Sequence, residues 1–268
     1  MNVSPTVRPV TVPEFCAAKS QGRKLVVVTA YDYTSAYWCD AAGVDALLVG
    51  DSLGMVVQGH AHALPVTLNQ ILYHTRCVQR GTRHALIIAD LPFLTYQVST
   101  AQAVRSAGKL LKYGGAHAIK LEGGVRMAAT IQACVRAGIP IMGHIGLTPQ
   151  AVHQLGGFRV QRNREQLLAD AHAVVQAGAF ALVLESIPAD LAAEITAAVP
   201  IPTIGIGAGP HCDGQVLVFH DLLGLYPNFQ PKFVKRYAEL GTLIKNAIET
   251  FCQDVRSGTF PTAQHSYL

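Results

Sequence analysis

Charge is scarce in this chain: only 14% of its 268 residues are Asp, Glu, Lys or Arg. That share is too small for a disordered polyelectrolyte, which needs high charge and few apolar residues. The formal net charge of +4 is mild. Basic residues gather only weakly, at Arg159–Arg164 and Lys232–Arg236, so no dense basic stripe offers itself to a nucleic acid. No run of about 18 apolar residues is present to span a bilayer, and Met1–Val12 lacks the apolar stretch of a leader peptide. The six cysteines (Cys16, Cys39, Cys77, Cys134, Cys212 and Cys252) form no C-x-x-C pair and no metal-ligand spacing. They read as reduced, mostly buried thiols. These absences together predict a cytoplasmic protein that engages neither membrane nor nucleic acid.

What the chain does hold is apolar material, 50% of its residues, arranged in a recurring order. A helix ends, a glycine follows, an apolar β-branched strand runs, and a polar side chain closes the strand. Ala42-Gly43 leads to Asp51, Gly114-Gly115 to Glu122, Ala137-Gly138 to His144 and Ala177-Gly178 to Glu185. Continuous apolar strands are those of a parallel sheet covered on both faces, and helix–strand alternation with right-handed crossovers builds such a sheet. Eight strands can be placed, beginning near Leu25, Ala46, Ala85, Ala118, Pro140, Ala181, Pro202 and Val216. Eight is the number that closes a barrel. The predicted fold is an α/β, single-domain (β/α)8 barrel over residues 1–268. An N-terminal extension precedes it, and a C-terminal helix from about Pro231 to Val255 follows.

In such a barrel every strand ends at the same mouth, where active sites sit. Asp51, Asp90, Glu122 and Glu185 would then converge although they are far apart in the sequence. Each could instead cap the next helix. Asp32, after the first strand, is another acid at a strand exit. Facing one cavity, four carboxylates repel each other unless a proton or cation intervenes. A hard divalent ion such as Mg2+, held by a few carboxylates plus water and substrate, resolves this. Lys120 and Glu122 are two apart on one strand and face the same way. Lys120 is compatible with binding a substrate carboxylate, with a Schiff-base role, or with an ion pair to Glu122. His144, at the next strand exit, reads as a substrate contact or a core imidazole. Gly205-Ile206-Gly207-Ala208-Gly209 suits either a phosphate or close strand packing. The long Leu147–Arg162 connection is of the kind that carries function.

The blocks T-A-Y-D (29–32), V-G-D-S-L-G-M (49–55), L-P-V-T (64–67), A-D-L-P-F (89–93), K-L-E-G-G (120–124), G-H-I-G-L-T-P-Q (143–150), V-L-E (183–185), I-G-I-G-A-G (204–209) and C-D-G-Q-V-L-V (212–218) resemble the ketopantoate (3-methyl-2-oxobutanoate) hydroxymethyltransferase family, from about Thr29 to His265. The resemblance implies a Mg2+-dependent barrel enzyme of pantothenate biosynthesis. Its reaction would move a hydroxymethyl group from 5,10-methylenetetrahydrofolate to 3-methyl-2-oxobutanoate. By motif, Asp51 and Asp90 would hold the metal, with Glu122 supporting or completing that site. Asp51, Ser52, Asp90, Lys120 and His144 would line the keto-acid subsite, and Glu185 would be the general base. A homo-oligomer, commonly a decamer, is implied as well. The sequence departs from the family pattern at Ala61-His62-Ala63, at Arg162-Asn163-Arg164 and at Gln264. Two rival chemistries fit the residues alone: a metal-dependent carbon–carbon lyase acting on a 2-oxo or 2-hydroxy acid without folate, and a Schiff-base aldolase using Lys120.

Overall fold

Strands rich in Val, Ile and Leu can be buried on both faces only if helices cover one side and other strands the other. The computed structural model describes residues 8–227 and 230–267 and realises that solution. β1 (Leu25–Thr29), β2 (Ala46–Val49), β3 (Leu86–Asp90), β4 (Ala118–Glu122), β5 (Ile141–Gly146), β6 (Ala181–Glu185), β7 (Thr203–Ile206) and β8 (Gly214–Leu217) pair in sequence order, with β8 returning to β1 as a closed barrel. All pairings are parallel. The expected strand starts fall within two residues of these bounds.

The helices begin where the sequence supplies caps. α1 (Val12–Ser20) opens on a Thr11/Glu14 capping box, α2 (Tyr33–Ala41) on Asp32, and α3 (Leu68–Gly81) on a Thr67/Gln70 box. Ser99 caps α4 (Thr100–Lys109) and Asn163 caps α6 (Arg164–Gln176). In each case the cap side chain accepts a backbone N–H that the first helical turn leaves unpaired. α5 (Ala128–Arg136) and α7 (Ala189–Ala198) complete the outer layer. Gly43, Gly138 and Gly178, which follow α2, α5 and α6, all have positive φ, the left-handed conformation that ends helices at low cost only for glycine.

Inside the barrel, alternate residues of the strands form the core: Leu25 and Val27, Ala46 and Leu48, Leu86 and Ile88, then Ala118, Met142, Ala181 and Val183. Phe15 of α1 meets Phe180 edge-on at 5.9 Å within that cluster. α1 therefore closes the end where the strands begin, which leaves the strand exits for chemistry. With a period of two, the residues continuing the inward rows are Asp90, Lys120, Glu122, His144 and Glu185.

Asp40 of α2 plays a structural part. It is buried, and its carboxylate accepts the N–H groups of Arg83, His84 and Ala85 at 2.8–3.0 Å, tying α2 to the entry of β3. Asp40→Ala leaves three donors without that acceptor, at a cost of about 3 kcal/mol. The expected result is a melting temperature lower by roughly 6–12 °C, with kcat at 25 °C unchanged. An unaltered thermal melt would show that water replaces the carboxylate fully.

A second compact unit starts at Phe219. The helix expected from about Pro231 begins only at Leu240, as α8 (Leu240–Ser257). The Tyr237 and Leu240 N–H groups donate to the carbonyls of Leu222 and Leu223 at 2.9 and 3.0 Å. These long-range partners take the donors an earlier helical turn would have used.

Candidate active site

The exits of β2 to β6 bring the candidate residues together. Asp51, Asp90, Lys120, Glu122 and His144 are each at most 5% exposed, so their charges must be settled among themselves. Register does much of this. Asp90 pairs with Lys120, Glu122 with His144 and Gly146 with Glu185 across neighbouring strands. Lys120 Nζ donates to Asp90 Oδ1 at 2.7 Å, so the ion pair foreseen with Glu122 forms with Asp90 instead. Asp90 Oδ2 in turn accepts the Asp51 N–H at 3.0 Å. Gly50 makes this approach possible: a Cβ there would lie 2.8 Å from Ser52 Oγ and 3.5 Å from Asp90 Oδ2.

Asp51 does not act as a side-chain cap. The residue before the short Leu53–Val56 helix is Ser52, which makes no capping bond. Its Oγ instead lies 2.8 Å from the Tyr31 hydroxyl. Asp32, by contrast, does cap: Oδ1 accepts the Ser35 N–H at 2.8 Å, so that strand-exit acid belongs to α2.

His144 stands between two carboxylates, with Nε2 3.2 Å from Glu185 Oε2 and Nδ1 3.6 Å from Glu122 Oε1. Neither contact is aligned as a hydrogen bond. Burial opposes the imidazolium, but the flanking carboxylates outweigh it and push the pKa up to about 9. Burial likewise works against the Lys120 ammonium, and Asp90, Glu122 and Asp51 overcome it, so the pKa is raised. A lysine held protonated in this way is a poor Schiff-base nucleophile, which needs a free amine.

With all four carboxylates ionised, Lys120 and a protonated His144 would leave an excess of two negative charges. The strain shows at Asp51, whose carboxyl is raised well above its usual range. Burial is the largest cause, then repulsion from Asp90 and Glu122, only partly offset by Lys120 and a Gln150 hydrogen bond. A divalent cation would cancel that excess, and the donors are the hard oxygens Mg2+ prefers. Among the described residues no group of three His, Cys, Asp or Glu side chains is spaced to hold a metal. Asp51 and Asp90, linked where Asp90 Oδ2 accepts the Asp51 N–H, are two carboxylates that would suit such a cation, with water and substrate completing its shell.

Gln150 and Tyr96 were not singled out from the sequence. Gln150 sits in a short 3-10 turn (Pro149–Ala151) of the long connection after β5 and is 7% exposed. Its Nε2 donates to Asp51 Oδ2 at 2.8 Å and its N–H to Glu122 Oε2 at 3.0 Å. Tyr96 OH accepts the Glu122 N–H at 3.1 Å. The available signal was the length of that loop and its opening Thr-Pro-Gln, since a buried amide requires partners.

Gly205 approaches Cys212 Sγ and the Gln215 amide within 3.1 Å of where its Cβ would be, so close packing on β8 accounts for it. The departures are also accommodated. Ala63 is buried, and His62 meets His153 edge-on at 5.3 Å. Asn163 caps α6 and Arg164 pairs with Glu194.

Over residues 9–263 the sequence matches the family described as ketopantoate hydroxymethyltransferase. It is 56% identical over 262 residues to the 3-methyl-2-oxobutanoate hydroxymethyltransferase of Moorella thermoacetica, covering 96% of this chain and 97% of that one. Identity to the enzyme of the same name from Chloroflexus aurantiacus is also 56%, over 261 residues and 96% and 92% of the two chains. Among solved structures, 2,3-dimethylmalate lyase, a PEP mutase/isocitrate lyase superfamily member, superposes with a TM-score of 0.62 at 19% identity, over 96% of this chain and 89% of that one. A phosphonopyruvate hydrolase solved with oxalate and Mg2+ gives 0.61 at 14%, over 93% and 90%. At such identities the likeness concerns the fold alone. The match in sequence is of another order, nearly end to end at more than half identity, and places the chain in the ketopantoate hydroxymethyltransferase family.

Proposed function

We propose that this chain transfers a hydroxymethyl group from 5,10-methylenetetrahydrofolate to 3-methyl-2-oxobutanoate, giving 2-dehydropantoate, with Mg2+ held by Asp51 and Asp90. The observation that carries this reading is the buried cluster of three carboxylates, more than Lys120 and His144 can neutralise, beside an accessible fourth acid. Glu185 keeps 16% of its side chain exposed while the other three acids are enclosed. Bound Mg2+ would supply Lewis-acid stabilisation of the negative charge that develops on the keto oxygen. Glu185 takes the C3 proton of the keto acid. His144, 3.2 Å from Glu185, balances the charge of that carboxylate. Lys120 spends one ammonium hydrogen on Asp90 and has others for the substrate carboxylate. The enolate carbon then attacks the methylene carbon, both C–N bonds to the folate break, and water supplies the hydroxyl of the product as tetrahydrofolate leaves.

A cavity of about 480 Å3 supports a place for the donor, within the range for a drug-sized ligand. It shares Glu122 and Gln150 with the acid cluster, and Phe93, Tyr96 and Met127 give it apolar walls. Arg126 lines it as well and is suited to the glutamate carboxylates of a folate. Arg126→Gln is expected to raise KM for the folate about tenfold, the loss of one charged hydrogen bond. Deuterium exchange at C3 of the keto acid alone should stay at the wild-type rate. An unchanged KM places the donor elsewhere.

Cleavage or condensation that proceeds without folate would favour the lyase alternative, which the names of the relatives do not. The reading includes a cytoplasmic location, and among the described residues no helix is long and apolar enough to cross a membrane. It also includes assembly into a homo-oligomer, a decamer by family resemblance. Exposed aromatics on α2 support this: Tyr33 and Tyr37 stack at 6.3 Å, and Tyr37 meets Trp38, itself 63% exposed, edge-on at 5.1 Å. Light scattering is expected to give a decameric mass; a monomeric mass rejects this part.

A further inference from the structure

The acid cluster has a neutral component whose contacts are more numerous than those of any acid in it. Gln150 Nε2 faces two acceptors, Asp51 Oδ2 at 2.8 Å and the Leu91 carbonyl at 2.9 Å. Its Oε1 faces two donors, the Tyr96 hydroxyl at 2.9 Å and Gln97 Nε2 at 3.0 Å. Rotating the amide by half a turn would set its oxygen against the Leu91 carbonyl and the Asp51 carboxylate, so these two acceptors fix one orientation. The backbone N–H of the same residue holds Glu122 Oε2 at 3.0 Å. One residue thus joins the exits of β2, β3 and β4 from a loop that follows β5.

We propose that Gln150 is a positioning residue for the metal-binding carboxylates and sets the affinity of the site for a divalent cation. This rests on the reading that Asp51 and Asp90 hold such an ion. A carboxylate at the end of a strand can turn about its terminal bond. With Oδ2 engaged by Gln150, that rotation of Asp51 is restrained. Glu122 is treated alike: Oε2 is tied to the loop, and Oε1 is the oxygen that faces His144. The amide does this without adding charge. A lysine at the same place would compete with the cation, and a glutamate would add a further negative group to an already overcharged cluster. Hydrogen-bond partners that orient metal ligands change affinity by about 10–100-fold when removed.

The test is titration calorimetry of Mg2+ alone into the full chain, without keto acid or folate. Gln150→Met keeps the length and volume of the side chain and removes both ends of the amide. Its Kd for Mg2+ is expected to rise at least about tenfold. In turnover assays the loss should be overcome by excess Mg2+, so that the KM for the metal moves while kcat returns close to wild type. A residue that merely packs the loop would not produce that split. Gln150→Asn keeps the amide but is one methylene too short to reach Asp51, and the same rise in Kd is expected. This second variant decides the question if the methionine variant does not fold. A wild-type Kd in either folded variant overturns the proposal. A wild-type chain that binds no Mg2+, matching Asp51→Ala, instead removes the metal reading on which it rests.

Discussion

Replacing Glu185 by glutamine lowers turnover of the keto acid by about 10²–10⁴-fold, the usual contribution of a positioned general base. The substitution keeps the shape of the side chain and removes its charge together with its capacity to accept a proton from carbon. KM for the keto acid should shift by a few-fold at most, because Glu185 is the one acid of the four outside the enclosed cluster. The more telling readout is solvent deuterium exchange at C3, measured by NMR without folate. If Glu185 takes the proton, exchange falls with turnover. If exchange persists at the wild-type rate, another group is the base and the role assigned to Glu185 is wrong. The amide oxygen can still face His144 Nε2, so the geometry around the imidazole survives and a loss is attributable to the missing base. Ser186 next to it has φ +48, a conformation that non-glycine residues adopt at a cost. The turn leaving β6 is thus held in a set shape.

Why so much of this site could be read from the sequence is a matter of periodicity. Once the strands are placed, alternation decides which side chains point inward: Ile88 is core, so Asp90 is too; Ala118 is core, so Lys120 and Glu122 follow. Closure of the barrel does the rest. Pairing across strands was not legible in the same way. From spacing alone Lys120 and Glu122 share a face, but residues two apart on a strand are separated by about 6.6 Å while adjacent strands lie about 4.8 Å apart. The parallel register sets Asp90 beside Lys120, and the nearer acid wins. Gln150 and Tyr96 escaped notice because they come from loops, which have no period and whose contacts depend on tertiary closure. Asp32, another acid at a strand exit, stays apart for a local reason: it lies beyond the end of β1 and serves the helix that starts there. The late start of α8 has the same origin as the missed loops, since long-range carbonyls claimed the donors that a local pattern assigned to a helix.

Asp90→Ala is expected to have the largest effect of any single change, because Asp90 serves three purposes at once. Its Oδ1 neutralises Lys120, its Oδ2 accepts the Asp51 N–H, and its carboxylate is a proposed ligand of Mg2+. Lys120 and Asp90 side chains are only 6% and 3% exposed, so alanine strands a buried ammonium. Breaking such a pair from one side costs about 3–5 kcal/mol, or roughly 6–20 °C in melting temperature for a chain of this size. Weak Mg2+ binding by this variant alone would therefore be ambiguous between an unfolded site and a missing ligand. Two companions separate them. Asp90→Asn keeps an acceptor for Lys120 and loses the charge, so stability falls less while Mg2+ affinity is lost. The double variant Asp90→Ala/Lys120→Met removes both charges, and replacing a buried pair by apolar groups is often neutral in stability. Its melting temperature should recover much of the loss, a coupling a double-mutant cycle measures, while Mg2+ and keto-acid binding remain absent. Calorimetry that found wild-type Mg2+ affinity in Asp90→Asn would leave Asp90 as the counter-ion of Lys120 only, and the chelation of the keto acid at this mouth would have to be abandoned.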